Sequence, residues 1–307
     1  MLARIAMESV PRALGLCDRG GESQTFGCLD RAYWNYRTTD IPNARMQEGA
    51  LLFALAMRQT GVPNNMFAGK QAMDQWALAA WKFWLARRNA DGSVNEVYPF
   101  ERSFCATSFT AAAFVETVLL AGGGAQWEPA VTLARQTMEW LLENRNPDVA
   151  NQMAASALAL LGYSVITGEK RFARAAEKRR GEVLASASAD GVFGEYGGLD
   201  VGYQTITMSA LARYMVIVGG DAAVEAALVK SEKLVSPLLD EMGRPDPAEN
   251  SRNTQFVYPY ALALLKSGSM ERIMAGLRAS ASLNPAWMDD RYFIPLAIDY
   301  VLAEACL

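Results

Sequence analysis

Two polar loops with related sequences carry carboxylates at the same offset. The segments "ADGSVNEVYPFERS" (90–103) and "ADGVFGEYGGLDVGY" (189–203) both begin Ala-Asp-Gly, and each has a glutamate five residues after the aspartate. Two carboxylates on opposite sides of a glycosidic bond act as acid and base in glycoside hydrolysis. The loops therefore predict Glu195 as one catalytic carboxylate, and the second would be Glu96, Asp30 or Asp200. The candidate catalytic residues are Glu195, Glu96, Asp30 and Asp200.

The same loop residues also have purely structural interpretations. Asp-Gly pairs at 91–92 and 190–191 are typical of turns, because aspartate bonds its own backbone and glycine accepts a positive φ. Glu96 and Glu195 could hydrogen-bond the loops or cap helices, and Asp200 could cap a helix that starts near residue 204. The sequence leaves these alternatives open.

Aromatic, amide and arginine side chains surround the carboxylates in the predicted loops. Sugar-binding clefts combine ring faces that stack on the sugar with polar groups that bind its hydroxyls. An arginine such as Arg252, in "SRNTQ", could also clamp a substrate carboxylate. We therefore predict a carbohydrate substrate. The candidate binding residues are Arg31, Trp34, Tyr36, Asp40, Tyr98, Glu101, Tyr196, Tyr203, Arg252 and Asn253.

A second chemistry is β-elimination or epimerisation of a uronic acid. Here Arg252 or Arg31, with Asn253, would neutralise the substrate carboxylate while a tyrosine moves the proton. Because the pKa of an ordinary tyrosine is near 10, an adjacent arginine would have to lower it. This requirement favours the carboxylate mechanism. The candidate tyrosines are Tyr36, Tyr203 and Tyr196.

The elements that position these loops are predicted to be helices in pairs. An apolar helix recurs about every 50 residues, and a more amphipathic helix follows each one, as in a repeat architecture. Five or six such hairpins would form an all-α (α/α)5-6 barrel, or α/α toroid, in one domain, 1–307. An open solenoid would need polar capping repeats, and none is evident. The inner helices are predicted at 43–60, 104–121, 151–167, 204–220 and 254–268, and the outer ones at 70–88, 126–145, 170–187, 221–242 and 269–282, with a last helix at 291–306 paired with one at 2–15.

Hairpin repeats place all long return loops at one end of a barrel. The predicted site residues, scattered from Asp30 to Asn253, would then meet on one rim. The exposed loops, rather than the helices, are therefore where the sequence predicts a cleft.

Composition excludes several classes of function. The chain of 307 residues has a net charge of −4, and no run of Lys or Arg would hold nucleic acid. It has no histidine, which removes histidine-based catalytic dyads and triads. Its four cysteines lack CxxC spacing, so we expect reduced thiols, no metal site and no cofactor. Because no apolar run resembles a secretory or membrane segment, a cytoplasmic protein without a membrane span is expected. The oligomeric state is left open.

Several segments together resemble a known family. They are "TFGCLDRAYWNYRTTDIPNARMQEGALLFALA" (25–56), "DGSVNEVYPFERSFCATSFT", "NQMAASALAL", "GEYGGLDVGYQTIT" and "SRNTQFVYPYAL". The chain resembles, over nearly its whole length, α/α-toroid proteins of polysaccharide-biosynthesis clusters, labelled heparinase II/III-like or prenyltransferase/squalene-oxidase-repeat-like. The resemblance implies the toroid fold and an association with surface polysaccharide.

The chain also departs from that family in ways that bear on mechanism. Relatives often have histidine where this chain has Asn35 and Arg102, and heparinase-type lyases rely on a Tyr/His pair, which cannot form here. The DxDD motif of squalene-type cyclases is missing, with only "MDDRYF" (288–293) near it, and so is the Cys/His/Asp zinc site of prenyltransferases. A hydrolase is therefore the first hypothesis, followed by a uronate lyase or epimerase and a toroid that only binds a glycan or partner; a terpenoid cyclase comes last.

Overall fold

The computed structural model describes residues 1–195 and 197–307, and its regular structure there is helical. The described residues form twelve α-helices and no β-strand, only an isolated bridge between Leu239 and Pro245. The prediction of an all-α protein is confirmed. The helices are α1 Leu2–Leu16, α2 Gly49–Arg58, α3 Gln71–Ala86, α4 Phe104–Leu120, α5 Glu128–Glu143, α6 Ala150–Thr167, α7 Lys170–Ser186, α8 Val201–Val218, α9 Ala222–Val235, α10 Tyr260–Leu264, α11 Ser269–Arg278 and α12 Phe293–Glu304.

Three predicted helices are clearly shorter than expected. The one predicted over 221–242 is α9, which ends at Val235 and is followed by a 3-10 helix, Ser236–Leu238. The one predicted over 254–268 is only the five residues of α10, and residues 253–259 before it have no regular secondary structure. Pro259 explains this, because a proline disfavours the α conformation of the residue before it. The one predicted over 43–60 begins instead with a 3-10 helix, Ala44–Glu48, which leads directly into α2.

Packing follows the alternation of apolar and amphipathic helices. Each even-numbered helix contacts the next even-numbered one, and α12 also contacts α2. Each odd-numbered helix from α3 to α11 packs against the even-numbered helix before it, and α1 packs against α12. Side chains of α4 and α6 are buried on several faces, whereas α7 buries only a narrow stripe, as expected for inner and outer layers. Among the described residues, no helix combines the length and apolarity that crossing a bilayer requires.

Four return loops share one backbone arrangement. Each has a glycine with positive φ that faces the backbone of an outer helix, where a Cβ would overlap that backbone in three loops and make a tight contact with it at Gly191. The sequence shows this unit only twice, through Ala-Asp-Gly, because the other two loops lack that tripeptide. The glycines are Gly27, Gly92, Gly191 and Gly243, and they face Ala79, Gln136, Lys230 and Ile273, in that order.

The close approach of Gly27 to α3 predicts a large loss of stability on substitution. A Cβ there would lie 2.3 Å from the carbonyl carbon and oxygen of Ala79, and φ is +91°. We expect Gly27→Ala to lower the free energy of unfolding by about 3 kcal/mol, since steric overlap adds to backbone strain. Gly168→Ala is the matched control, because φ is +75° there but no atom lies within 4 Å. This control should lower the free energy of unfolding by only about 1 kcal/mol, and urea unfolding measures both variants. Equal losses in the two variants would contradict the packing explanation.

Candidate functional site

A cavity of about 180 Å³ lies among the inner helices. Residues near the N-termini of α4, α6 and α8 line it, together with α12 and the 3-10 helix Ala44–Glu48. Much of the wall is apolar, as in most small-molecule sites. Its apolar members include Leu51, Phe109, Ala112, Ala155, Leu158, Ile206 and Ile298.

Six charged side chains also line this cavity. A charge held away from water costs several kcal/mol unless a partner compensates it, so an interior with six charges requires an explanation. Four are cations and two are anions, and most belong to ion pairs described below. They are Arg45, Arg213, Arg252, Arg291, Glu48 and Glu195.

Glu195 is held at the N-terminus of α6. Its Oε1 accepts hydrogen bonds from the backbone N–H of Asn151, at 3.0 Å, and from the Asn151 side-chain amide, at 2.6 Å. The carbonyl of Gly194 accepts a further bond from the N–H of Ala150, at 2.8 Å. Oε2 of Glu195 accepts no hydrogen bond from the described residues. The loop is thus anchored at the helix end through one carboxylate oxygen of Glu195.

The environment of Glu195 changes its acidity. Burial raises the pKa of Glu195 to about 7, and the charge of Asp200 adds to this. The hydrogen bonds from Asn151 and the charge of Arg252 act in the opposite direction but do not cancel the effect of burial. A carboxyl whose pKa lies near neutrality can both give and take a proton, which is the requirement for acid–base catalysis.

A buried ion pair faces the same cavity from the 3-10 helix. The guanidinium of Arg45 pairs with the carboxylate of Glu48, lies 4.2 Å from the ring centroid of Phe109 and donates to Sγ of Cys105 at 3.4 Å. Burial alone would lower the pKa of Arg45, but the charge and hydrogen bond of Glu48, with the nearby Cys105 and Glu96, together outweigh burial and raise that pKa. Glu48 is therefore a carboxylate held in a defined position on the cavity wall.

A second ion pair closes the deep end of the cavity. Arg213 on α8 binds Glu116 on α4 through two guanidinium nitrogens, Nε at 2.7 Å and Nη2. Nearby, Asp299 on α12 accepts hydrogen bonds from the hydroxyl of Ser209 and from the N–H of Tyr260. Burial raises the pKa of Asp299 to about 6. These groups join α4, α8, α10 and α12 beneath the cavity.

Groove A is an open groove of about 1050 Å³ that adjoins the cavity. The two share Arg291, which pairs with Glu96 and lies 4.3 Å from the ring centroid of Tyr292. Six of the residues predicted from the sequence come together in groove A. They are Asp30, Arg31, Tyr36, Asp40, Glu96 and Tyr98.

Groove B is a smaller open groove of about 450 Å³. It shares Tyr203, Arg252 and Tyr292 with the cavity, and Asn253 also lines it. Three more predicted residues, Tyr203, Arg252 and Asn253, therefore meet here. The guanidinium of Arg252 lies 5.4 Å from the ring centroid of Tyr203. The cavity thus shares wall residues with both grooves.

Two of the predicted catalytic aspartates are occupied by backbone hydrogen bonds. Asp200 caps α8: its Oδ1 accepts from the N–H of Tyr203 and the hydroxyl of Thr254, and its Oδ2 accepts from the N–H of Arg252. Asp30 lines groove A, but its carboxylate accepts hydrogen bonds from three backbone N–H groups, those of Ala32, Tyr33 and Asn43. The structure thus agrees with the capping interpretation of Asp200, and it places neither aspartate on the cavity wall.

Two other predicted binding residues organise loops instead of lining the cavity or the grooves. Oε2 of Glu101 accepts from the N–H groups of Glu96 and Val97, both at 2.8 Å, and so shapes the loop that carries Glu96. The indole N–H of Trp34 donates to the carbonyl of Leu16 at 2.7 Å. Tyr196, also predicted to bind substrate, lies outside the described residues.

Tyr203 does not have the acidity that proton abstraction would require. Burial raises its pKa, the neighbouring Tyr292 raises it further, and Arg252 offsets this only in part. A tyrosine whose pKa is above 10 is almost fully protonated at neutral pH. The geometry at the cavity mouth therefore favours Glu195 over Tyr203 as the group that moves a proton.

Sequence reasoning missed the charged residues on the inner helices. Glu48, Glu116 and Arg213 lie within predicted inner helices and Asp299 within the predicted last helix, outside the loops where a cleft was predicted. A signal was available, since a lone charge inside a helix that is apolar on most faces must find a partner or line a cavity. Asn151 gave no such signal, because an amide near a helix start is ordinary.

No family model and no curated protein matches the chain. The resemblance to toroid proteins of polysaccharide-biosynthesis clusters therefore stays a prediction. The function has to be argued from the cavity, its charges and the two grooves.

Proposed function

We propose that the chain is an α/α toroid related to proteins of polysaccharide-biosynthesis clusters, and that it hydrolyses a glycosidic bond. The contact of each even-numbered helix with the next, and of α12 with α2, supports a ring of six inner helices. In such a ring the cavity is the interior of the barrel, and the return loops form its mouth. The arrangement of the helices then accounts for both the cavity and its mouth.

The observation that carries the proposal is the state of Glu195. Its carboxyl lies on the wall of the cavity, has a pKa of about 7 and keeps one oxygen free of bonds from the described residues. A protonated carboxyl at neutral pH can donate to the oxygen of a departing sugar, as general acids of glycosidases do. Asn151 orients the group through two hydrogen bonds to Oε1.

Glu48 is the best-placed partner for Glu195 among the described carboxylates. Of these, only Glu48 and Glu195 line the central cavity, and Arg45 holds Glu48 in place. Glu48 would serve as the base that activates water or as the nucleophile, depending on its distance from Glu195 across the bound sugar. Glu96 lies farther out, where it pairs with Arg291 on the side of groove A.

A second candidate function is supported by the four arginines of the cavity. Three of them, Arg45, Arg213 and Arg291, form ion pairs with Glu48, Glu116 and Glu96, and the fourth, Arg252, lies at the mouth beside Tyr203. Guanidinium groups suit a substrate that carries a carboxylate, and a uronate lyase or epimerase would need that recognition. In this version Glu195, rather than a tyrosine, would abstract the proton. A terpenoid substrate is disfavoured, because the cavity has six charged residues on its wall.

A product screen distinguishes these reactions. Neutral and uronate-containing oligosaccharides are incubated with the protein, and new reducing ends and ultraviolet absorbance of a new C=C bond are recorded together. Hydrolysis gives reducing ends without absorbance, which is the expected result. Absorbance that rises with reducing ends would contradict hydrolysis and favour elimination. If neither signal appears while calorimetry detects binding, NMR of the recovered oligosaccharide decides: an inverted uronate indicates an epimerase, and an unchanged ligand indicates a binding toroid.

A further inference from the structure

We propose that groove B is a saccharide subsite, with Trp287 as its stacking platform, for residues that continue beyond the sugar in the cavity. This inference rests on the proposed saccharide ligand and adds a binding residue that neither the loop motifs nor the cavity indicated. Groove B is lined by Trp287, Asn253, Gln255 and Asp289, besides the residues it shares with the cavity.

The cavity is too small for a whole oligosaccharide, so the rest of such a ligand needs another place to bind. At about 180 Å³ it is smaller than the pockets that enclose drug-sized ligands, so it suits a single sugar residue. A longer ligand must leave through the mouth. Groove B lies beside the cavity, because Tyr203, Arg252 and Tyr292 line both spaces. This adjacency points to the same ligand in groove B.

Trp287 has the exposure and the support that a stacking platform needs. Its side chain is 55% exposed, whereas Trp81, Trp84 and Trp127 are almost completely buried. It ends the 3-10 turn Pro285–Trp287, which packs against α1 and α12 and is capped by the side chain of Asn284. An exposed indole on a supported turn is ready to stack on an apolar sugar face with little ordering cost.

The polar members of groove B suit sugar hydroxyls. Asn253 and Gln255 offer amide donors and acceptors, and Asp289 offers a carboxylate. Asp289 accepts backbone bonds from Arg291 and Tyr292 through Oδ1, which leaves its Oδ2 without a bond from the described residues. An aromatic face with amides and a carboxylate around it is a common arrangement for binding a sugar.

Fluorescence quenching tests the platform without any need for turnover. Acrylamide quenching is measured with oligogalacturonides and cello-oligosaccharides of two and six residues. In one of the two series, the six-residue ligand should protect the exposed tryptophan, and the two-residue ligand should protect it much less. Trp287→Phe removes the reporter but keeps a ring, so the protection should vanish while binding persists. Trp287→Ala should lower the affinity for the six-residue ligand roughly 3- to 10-fold and leave the affinity for the two-residue ligand unchanged.

Each outcome decides the inference separately from the proposed hydrolysis. Protection that survives in Trp287→Phe, equal protection by short and long ligands, or no protection by either series would overturn the subsite. Reducing ends produced without protection would leave hydrolysis standing and remove only groove B. Protection without any product would support groove B and contradict hydrolysis.

Discussion

Glu195→Gln should lower kcat by about 10²–10⁴-fold on the saccharide that the protein hydrolyses, with little change in affinity. Glutamine keeps the shape of the side chain, and its carbonyl oxygen can still accept both hydrogen bonds from Asn151. It cannot supply the proton. For the same reason, kcat/KM of the unmodified protein should fall as the pH rises through about 7, where the pKa of Glu195 lies.

Asp190→Asn is the matched control for that substitution. Asp190 is an exposed carboxylate in the same loop, and its loss should leave kcat unchanged within about 3-fold. Steady-state kinetics by reducing-end release measures both variants. If Glu195→Gln retained activity, or if both variants lost it equally, Glu195 would not be the proton donor.

The second large effect is expected at the ion pair beneath the cavity. Glu116→Leu would leave the guanidinium of Arg213 buried without its carboxylate partner, and we expect the free energy of unfolding to fall by about 3–5 kcal/mol. The side chains of Glu116 and Arg213 are only 13% and 18% exposed, so water can replace little of the lost interaction. Chemical denaturation measures the change.

A double-mutant cycle separates lost pairing from lost packing. Glu116→Leu combined with Arg213→Leu removes both charges, and the variant should recover to within about 1 kcal/mol of the unmodified protein. Both single variants should be the less stable ones, since each isolates a buried charge. If the double variant lost the sum of the two single losses, the pair would contribute through packing rather than charge.

The helices could be predicted because their causes are local. The apolar run at 104–121 and the basic amphipathic segment at 170–187 correspond closely to α4 and α7. The cap of α8 by Asp200 was an open alternative that the structure supports. The late start of the helix predicted over 254–268 also has a local cause, Pro259, which could have been recognised in advance.

The candidate site was predictable only in part, because its pairs are distant in sequence. Asn151 and Glu195 are 44 residues apart, and Glu116 and Arg213 are 97 apart. No local pattern pairs such residues, since the packing of whole helices brings them together. The loops showed which residues gather at the mouth, but not that Asp30 and Asp200 would be used for backbone hydrogen bonds.

The protonation of Glu195 is the most direct test of this account, and it requires no substrate. Infrared spectroscopy follows the C=O stretch of protonated carboxyl groups as the pH is raised. We predict a band that disappears at about pH 7, is absent in Glu195→Gln and persists in Asp299→Asn, which removes the other carboxyl with a raised pKa. If Glu195 instead titrated in the ordinary glutamate range, near about 4.3, it would be ionised at neutral pH and could not be the proton donor proposed here.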